Sequence, residues 1–532
     1  MKKLLSVILS VIMLLAVAAP AFSASAAGSY ITVYVEGYGH KLYKNNIATE
    51  ENRIYDIDAD VGAIVSEVLK PCLEKLALGF LTQDYDAYCD ELYNAMAPLY
   101  DEVRLDKNGE VTDGSGWGGN MLTDPYYISY GAGLTGGRIT FQYDWRLSPI
   151  ANAEILEQFI DRVCREQGVQ KVNLLGRCLG GNIVSAYLEN GNNLDKINKI
   201  IMYIPSTNGI STIGAVFTGN IVIDSNAVNN LADYLVGNQQ MIADPFMQEF
   251  ILAVLEMFNY ASILGIGTDT LLYIVDSVKD NIIPRLVRDT YGSFTSFWAM
   301  CPVDQVDEAV AFCYGTDELK EEYAGTIEKI YAFKQIQLNS DNNLMQLKES
   351  GKDIMVLSKY NIPNLPFSED GIIQSDFMAE TYRSSLGATT ANYGEVLSSS
   401  YINKMSQEEK KFLSPDLKID ASTCLFPETT WFIKNCAHAT FPNTVDVLMN
   451  NFLINDNYTV FSDESYPQYL EYSVDEAGNE SLVPVAGTDS DAEKPSKNQE
   501  RFSVFMRFFK AILSFFTKLF NGELNLSFGK DE

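Results

Sequence analysis

The segment 172–181, VNLLGRCLGG, constrains this 532-residue chain more than any other. An apolar strand leads to Gly176, then to Cys178 and Gly180, and the pattern of a helix follows. Two glycines in this spacing permit the sharp strand-to-helix turn that exposes a nucleophilic side chain above a parallel sheet. A thiol at the start of a helix has a lowered pKa, and Arg177 would lower it further if its guanidinium lies close. The segment predicts a nucleophilic cysteine; the alternative is a buried cysteine in an ordinary strand–turn–helix unit.

The rest of the chain alternates between strand and helix patterns. Short apolar, β-branched runs predict strands at 31–35, 139–143, 172–175, 200–204, 353–357 and 429–433. Helical periodicity appears at 59–103, at about 150–167 and from 182 to 188. Strands that alternate with helices favour a parallel sheet, because each crossover needs a helix. We therefore predict an α/β fold, a mostly parallel sheet flanked by helices, formed by residues 28–204 and 351–485.

Residues 205–350 interrupt this alternation. They are mostly helical in pattern and contain apolar and aromatic runs such as 246–264, FMQEFILAVLEMFNYASIL. An insertion between two core strands commonly covers the site at that edge of the sheet. The segment is predicted to be a large helical lid or cap with an apolar inner face.

The net charge and the N-terminal residues bear on the partners and the location of the protein. The net charge is −31, which argues against a nucleic-acid partner because phosphate backbones are repelled by such a surface. Lys2 and Lys3 precede an apolar run, 4–19, and the small residues 24–26. This pattern is typical of a secretory signal peptide, here residues 1–26, and predicts a secreted or extracellular-surface protein.

The C-terminal residues have a different character. Residues 486–500 are rich in Asp, Ser, Glu, Pro and Lys and are predicted to be a linker. Residues 501–521 then form an amphipathic helical pattern, and all four charges within 501–520 are positive. Such a helix is a candidate for contact with a membrane surface. The alternative is a helix docked on its own domain.

Histidine is scarce, which narrows the choice of a catalytic base. His438 follows the last predicted strand, where the chain order nucleophile, acid, histidine requires the base. The other histidine, His40, lies in an early glycine-rich turn, and a supporting or surface role is expected for it. The acid should follow strand 353–357: Asp376 is the first choice, and Asp370 and Asp420 are the alternatives.

The eight cysteines include no C-x-x-C pair, and with only two histidines a metal site is not expected. No cofactor is expected either. If Cys178 is a nucleophile, seven cysteines remain. Two local disulfide bridges are candidates among them: Cys301–Cys313 and Cys424–Cys436.

Three motifs together resemble a known family. The stretch 143–147, YDWRL, precedes the turn 175–181, LGRCLGG, by some thirty residues, and 35–39, VEGYG, lies near the start. This set is similar to the lecithin–cholesterol acyltransferase family of lipases and acyltransferases over about 31–215, and in patches beyond. The family's nucleophile turn usually reads His-Ser where this chain has Arg177-Cys178. The gap between Asp376 and His438 is also long.

The resemblance implies an α/β-hydrolase with a lid that acts on lipid or other acyl esters through an acyl-enzyme. It implies Cys178 as nucleophile, His438 as base, Asp376 as acid, and the backbone N–H groups of Tyr38 and Leu179 as oxyanion donors. The expected function is that of a lipase-like hydrolase or an acyltransferase. Because cysteine replaces serine, the alternative is a catalytically inactive protein of this fold that binds a lipid or cell-envelope ligand.

Overall fold

The computed structural model describes residues 30–39, 41–55, 86–130, 134–222, 268–475 and 477–487, with isolated positions between 224 and 234. The predicted signal peptide, 1–26, lies outside these residues, as do His40 and the tail 488–521. The middle of the predicted insertion, including 246–264, also lies outside them. The expectations for these segments stay predictions.

An eight-stranded sheet forms the centre of the fold. In chain order its strands are β1 (Thr32–Val35), β2 (Arg138–Phe141), β3 (Val172–Arg177), β4 (Ile197–Tyr203), β5 (Asp353–Tyr360), β6 (Thr430–Lys434), β7 (Tyr469–Val474) and β8 (Glu480–Pro484). Their order in space is β2-β1-β3-β4-β5-β6-β7-β8, and only the last pair is antiparallel. Strand β1 lies between β2 and β3, so the direction in which the chain adds strands reverses there. In open α/β sheets, ligands bind at the carboxyl ends of the strands near such a reversal.

Helices cover both faces of the sheet. The α-helices among the described residues are α1 (Asp86–Met96), α2 (Pro149–Gln167), α3 (Leu179–Asn190), α4 (Ser211–Thr218), α5 (Thr268–Asp289), α6 (Thr295–Trp298), α7 (Val306–Cys313), α8 (Asp317–Glu322), α9 (Ala324–Glu349), α10 (Thr381–Ser384), α11 (Ser399–Ile402) and α12 (Asn443–Ile454). Helices α2 and α9 both pack against α3. The predicted α/β class, a mostly parallel sheet flanked by helices, is confirmed.

The alternation of side chains along each strand divides the core into two layers. Val33, Leu174 and Ile200 face the layer of α2, α3 and α9. Leu175 and Ile201 face the opposite layer, where α12 packs. Strands buried on both faces are continuous apolar runs, which is why β3 to β5 were recognisable in the sequence.

Short two-stranded ribbons lie outside the main sheet, in the C-terminal half and in the region after β1. They pair Leu42–Tyr43 with Arg53–Tyr55, Ile362–Pro363 with Gln374–Ser375, and Thr389–Thr390 with Ile419–Asp420. The second ribbon matters most for the site, because Asp376 follows its second strand directly. None of these ribbons, nor β7 and β8, was predicted from the sequence.

Neither of the two candidate disulfide bridges is formed. Cys301, Cys313, Cys424 and Cys436 are free, buried thiols. Cys424 and Cys436 belong to different apolar clusters, although only twelve positions separate them. The Cys313 Sγ points to the carbonyl oxygen of Phe217, 3.4 Å away. Spacing along the chain does not bring two Cβ atoms into disulfide geometry.

Candidate active site

Cys178 lies in a strained turn between β3 and α3. Its φ is 49° and its ψ is −121°, a conformation that residues other than glycine rarely adopt. The following helix approaches the end of β1 so closely that a Cβ on Gly180 would overlap the carbonyl oxygens of Val35 and Glu36. Glycine at that position is therefore a steric requirement. In the sequence GRCLG, Gly180 permits the close approach of the helix, and Cys178 adopts the strained backbone conformation of the turn.

The structure brings three predicted site residues into one hydrogen-bonded series. The Nε2 of His438 lies 3.2 Å from the Sγ of Cys178, and its Nδ1 lies 2.7 Å from the Oδ2 of Asp376. The backbone N–H of His438 also donates to the carbonyl oxygen of Asp376, at 2.7 Å. Asp376 is fully buried, and 7% of Cys178 is exposed. The three side chains meet beyond the carboxyl ends of β3, β5 and β6.

A tight loop orients the carboxylate of Asp376. The backbone N–H groups of Met378 and Ala379 donate to its Oδ1 at 3.1 and 2.8 Å, which leaves Oδ2 for the imidazole. Phe377 within this loop has a φ of 92°, so backbone strain accompanies the arrangement. Oδ1 therefore fixes the loop, and Oδ2 orients His438.

Electrostatics in this series favour a thiolate beside an imidazolium. Burial alone raises the pKa of Cys178, but the charge of His438 and its hydrogen bond outweigh burial, with further help from Arg177 and the backbone N–H of Leu179, so that the pKa is lowered. Burial lowers the pKa of His438, yet Asp376 and Cys178 raise it overall to about 9. Both directions stabilise the ion pair that a nucleophilic cysteine needs.

Lys359 is a site residue that sequence reasoning missed; its only signal is a lysine two positions after the apolar run 354–357 of β5. The side chain is fully buried, and its Nζ donates to the carbonyl oxygens of Ala437 and Thr440 at 2.8 and 2.7 Å, and to that of His438 at 3.3 Å. Burial lowers the pKa of Lys359. Burial also raises the pKa of Asp376, but His438 first and then Lys359 lower it overall. Lys359 thus fixes the loop that carries His438 and favours ionised Asp376.

The two alternative acids lie in other hydrogen-bond networks. Asp370 accepts from the hydroxyl of Ser211 at 2.6 Å and from that of Tyr382 at 2.8 Å. Asp420 accepts from the backbone N–H of Ser422 at 2.9 Å and so caps a short helical turn. Among the described residues, Asp376 is the carboxylate that contacts His438.

The glycine-rich turn after β1 lies directly against the thiol. A Cβ added to Gly37 would be 3.1 Å from the Cβ of Cys178 and 3.8 Å from its Sγ. The hydroxyl of Tyr143 donates to the carbonyl oxygen of Glu36 at 2.7 Å and so helps to fix the conformation of this turn. Tyr38 follows Gly37, and Leu179 begins α3 next to Cys178. Gly37, which precedes Tyr38, and the backbone N–H of Leu179 therefore lie next to Cys178.

The stretch YDWRL, residues 143–147, packs against that turn and contains a buried ion pair. The ring of Trp145 is fully buried and meets the ring of Tyr38 edge-on, with centroids 4.6 Å apart. Arg146 pairs with Asp144 at 2.6 Å and also donates to the carbonyl oxygen of Val103 at 2.9 Å. This buried, fully bonded pair fixes the segment, because breaking a buried pair leaves an uncompensated charge.

Comparisons with protein-family models, with curated proteins and with solved structures found no match to this chain. The family resemblance seen in the sequence therefore stays a prediction. Within the described residues, no three His, Cys, Asp or Glu side chains lie close enough together to hold a metal ion. No helix in that part of the chain is both long and apolar enough to cross a membrane.

Proposed function

We propose that this chain is an acyl-ester hydrolase or acyltransferase of the α/β-hydrolase type, with Cys178 as the nucleophile. The observation that carries the proposal is the series Asp376–His438–Cys178, with links of 2.7 and 3.2 Å, at a strand-to-helix turn whose central φ is 49°. A nucleophile, a base within hydrogen-bond reach and a group that orients the base are the parts that acyl transfer requires.

In the acylation step, the Cys178 thiolate attacks the carbonyl carbon of the ester, and the carbonyl electron pair moves to oxygen. The backbone N–H groups of Tyr38 and Leu179 are the proposed donors to this oxyanion. As the tetrahedral species collapses, the C–O bond breaks and the leaving alkoxide takes the proton from the Nε2 of His438. The products are an alcohol and a thioester on Cys178.

In the deacylation step, water or an acceptor alcohol attacks the thioester while His438 takes its proton. The C–S bond breaks, and Cys178 leaves as a thiolate beside the newly charged imidazolium. Asp376 holds the ring in the orientation that both steps need. Water gives a carboxylic acid, and an alcohol gives a new ester.

We also propose that part of the insertion 205–350 is a lid over this site and contacts the acyl chain of a lipid substrate. Phe297, in α6, packs edge-on against Tyr38 of the proposed oxyanion turn, with ring centroids 5.3 Å apart. Phe297 also lies against Tyr291 at 4.9 Å, so aromatic side chains border the turn. Helix α9, by contrast, packs along α3 and belongs to the layer that flanks the sheet.

The test is turnover of p-nitrophenyl esters and of acyl thioesters of graded chain length. We expect hydrolysis that depends on chain length and is lost in Cys178→Ala, while Cys313→Ala keeps it. Cys313 is an equally buried thiol without a histidine partner, so it is a matched control. A folded protein that turns over no member of either panel would contradict the proposal.

A second candidate is an inactive protein of this fold that binds a lipid or envelope ligand. It is favoured by the replacement of serine with a thiol that is 93% covered in the structure, since only 7% of Cys178 is exposed. Iodoacetamide separates the two candidates. A nucleophilic Cys178 should be alkylated at neutral pH far faster than a free thiol, whereas an inert one should not.

A further inference from the structure

We infer that Arg177 forms an anion-binding subsite beside Cys178, so that the acyl substrate carries a carboxylate or phosphate group close to the carbonyl that the thiolate attacks. The inference rests on the proposed function for the role of Cys178, and it adds the chemical class of the substrate. It is carried by the surroundings of Arg177 and of Tyr203.

Arg177 is partly buried and has few partners. Its Nη1 donates to the hydroxyl of Tyr34 over 3.4 Å, its guanidinium stacks on the ring of Phe441, and its Nε is buried without a hydrogen-bond partner. No carboxylate among the described residues lies within ion-pair distance of it. A buried donor of a charged group normally has a partner, because leaving it unpaired is costly.

The other arginines of similar burial show how unusual this is in so acidic a chain. Six of them contact a carboxylate: Arg104 with Asp289, Arg138 with Asp446, Arg146 with Asp144, Arg162 with Glu166, Arg285 with Asp90, and Arg383 with Glu380. Arg288 contacts none, but it donates to the carbonyl oxygen of Cys313. Arg177 alone in this group combines a missing carboxylate with an unpaired buried N–H.

A second unpartnered donor lies in the same place. Tyr203 ends β4 and is only 3% exposed, yet its hydroxyl has no hydrogen-bond partner within the described part of the chain. Its ring meets that of Phe441 edge-on, with centroids 5.8 Å apart, and Arg177 interacts with it electrostatically. A guanidinium and phenol hydroxyls are donors that suit the oxygens of a carboxylate or phosphate.

The charges around this cluster are mixed but favour an anion. The Nζ of Lys359 lies 4.9 Å from the centroid of the Phe441 ring, on which the guanidinium of Arg177 also stacks. Asp446 acts electrostatically on Tyr203, and it faces Arg138 at 3.9 Å. Arg177 also immediately precedes the nucleophile. Its charge acts on the Cys178 thiol, so an anion bound to Arg177 would place the neighbouring atoms of the same molecule near the sulfur.

The experiment compares two alkylating agents that differ in one charge, iodoacetate and iodoacetamide. In both reactions the thiolate electron pair forms the S–CH2 bond and iodide leaves with the electrons of the C–I bond. The ratio of the two rate constants at Cys178 thus cancels changes in thiol pKa and leaves the effect of the carboxylate. We expect Arg177→Gln to lower the iodoacetate-to-iodoacetamide ratio about tenfold at low salt, and Arg177→Lys to lower it less.

Arg138→Gln is the control, since it removes the same charge from an arginine that also contacts Tyr34 but is paired with Asp446. It should change the ratio less than about twofold. Inorganic phosphate should slow both alkylations of the wild-type protein and not those of Arg177→Gln. An equal ratio in wild type and Arg177→Gln, an equal fall in Arg138→Gln, or no protection by phosphate would overturn the inference. The readout needs no ester turnover, so it separates this inference from the proposed function.

Discussion

Two buried cysteines of this protein, Cys178 at the end of β3 and Cys313 at the end of α7, have opposite chemistry. Cys313 is fully buried in the helical insertion, where burial raises the pKa of its thiol to about 12 despite the nearby charge of Arg288. Cys178 is almost as buried and also has an arginine beside it, yet its pKa is lowered, because the imidazole of His438 outweighs burial. An adjacent arginine is thus common to both, and the histidine is the difference.

The comparison shows that position in a fold does not by itself activate a thiol. Cys178 lies in the strand-to-helix turn after β3, but its partners His438 and Asp376 come from loops after β6 and β5, far along the chain. The insertion supplies Cys313 with an apolar cluster and a weak contact to a carbonyl oxygen, which leave it protonated.

The largest expected effect concerns alkylation itself. At neutral pH we expect iodoacetamide to label Cys178 at least about a hundredfold faster than Cys313, because the pKa of Cys178 is lowered and that of Cys313 is raised to about 12. Mass spectrometry of digested, time-sampled protein measures both rates in one experiment. Cys178→Ala should remove the fast phase, and Cys313→Ala should leave it unchanged. Similar rates for the two thiols would break the comparison.

The second expected effect is on pH dependence. Because His438 lowers the pKa of Cys178, the alkylation midpoint of the wild-type protein should lie below the ordinary thiol value of 9.0, and His438→Gln should move it above that value, where burial then dominates. At neutral pH the rate should fall about tenfold or more. Asp376→Asn should move the midpoint in the same direction but less far.

Asp370→Asn is the control for that series, since Asp370 was the alternative acid and hydrogen-bonds to Ser211 and Tyr382. Its midpoint should equal that of the wild type. A shift in Asp370→Asn as large as that in Asp376→Asn would mean that the loop as a whole, rather than the carboxylate at His438, governs the thiol.

The third expected effect concerns Lys359, compared with a second buried lysine on the neighbouring strand. Lys199 in β4 donates to the carbonyl oxygens of Phe452 at 3.0 Å and Asn455 at 2.6 Å, at the opposite end of the sheet. Lys359→Met and Lys199→Met should each lower the free energy of unfolding by about 2–4 kcal/mol, because both remove a buried ammonium donor from backbone carbonyl groups, and Lys199→Met also removes an ion pair with Asp353 at 3.3 Å. Only Lys359→Met should slow alkylation of Cys178, by about three- to tenfold, since it frees the His438 loop.

Urea denaturation gives the stability of each variant, and iodoacetamide gives the reactivity. Lys359→Arg is informative as a third variant, because it keeps a charge and donors but changes their geometry. Equal loss of thiol reactivity in Lys359→Met and Lys199→Met would assign the effect to general destabilisation.

The turn at Cys178 and its partner His438 could be predicted from local features of the sequence. The turn at Cys178 depends on glycines within a few residues, and the choice of His438 was narrowed by the presence of only two histidines. The apolar runs of β3 to β5 have the composition that strands buried on both faces require. Local composition was therefore sufficient to predict the class of the fold, the thiol of Cys178 and its partner His438.

Other parts depend on contacts that local composition does not encode. Asp376 could be ranked but not separated from Asp370, because its role depends on how the Phe377 loop closes on its Oδ1. Lys359 gave no signal of function, since its three partners are backbone carbonyl groups, which every sequence contains. The candidate disulfide Cys424–Cys436 could not be judged from spacing, because the two thiols lie in different apolar clusters.

The smallest expected effect separates thiol activation from oxyanion binding, two properties that the comparison of Cys178 with Cys313 does not distinguish. Tyr143→Phe removes only the hydroxyl that donates to the carbonyl oxygen of Glu36 and so loosens the turn beside Cys178. The thiolate contacts His438 as before, so the alkylation rate should stay within about twofold of the wild type. Ester turnover should fall about three- to tenfold, because the donors of the proposed oxyanion site become less well fixed. Tyr187→Phe is the matched control: it removes a hydroxyl that donates to the carbonyl oxygen of Asn193 at 3.2 Å, at the far end of α3. Equal losses of turnover in the two variants would assign the effect to general destabilisation. A fall in alkylation of Tyr143→Phe as large as its fall in turnover would show that the turn acts on the thiol and not on the oxyanion.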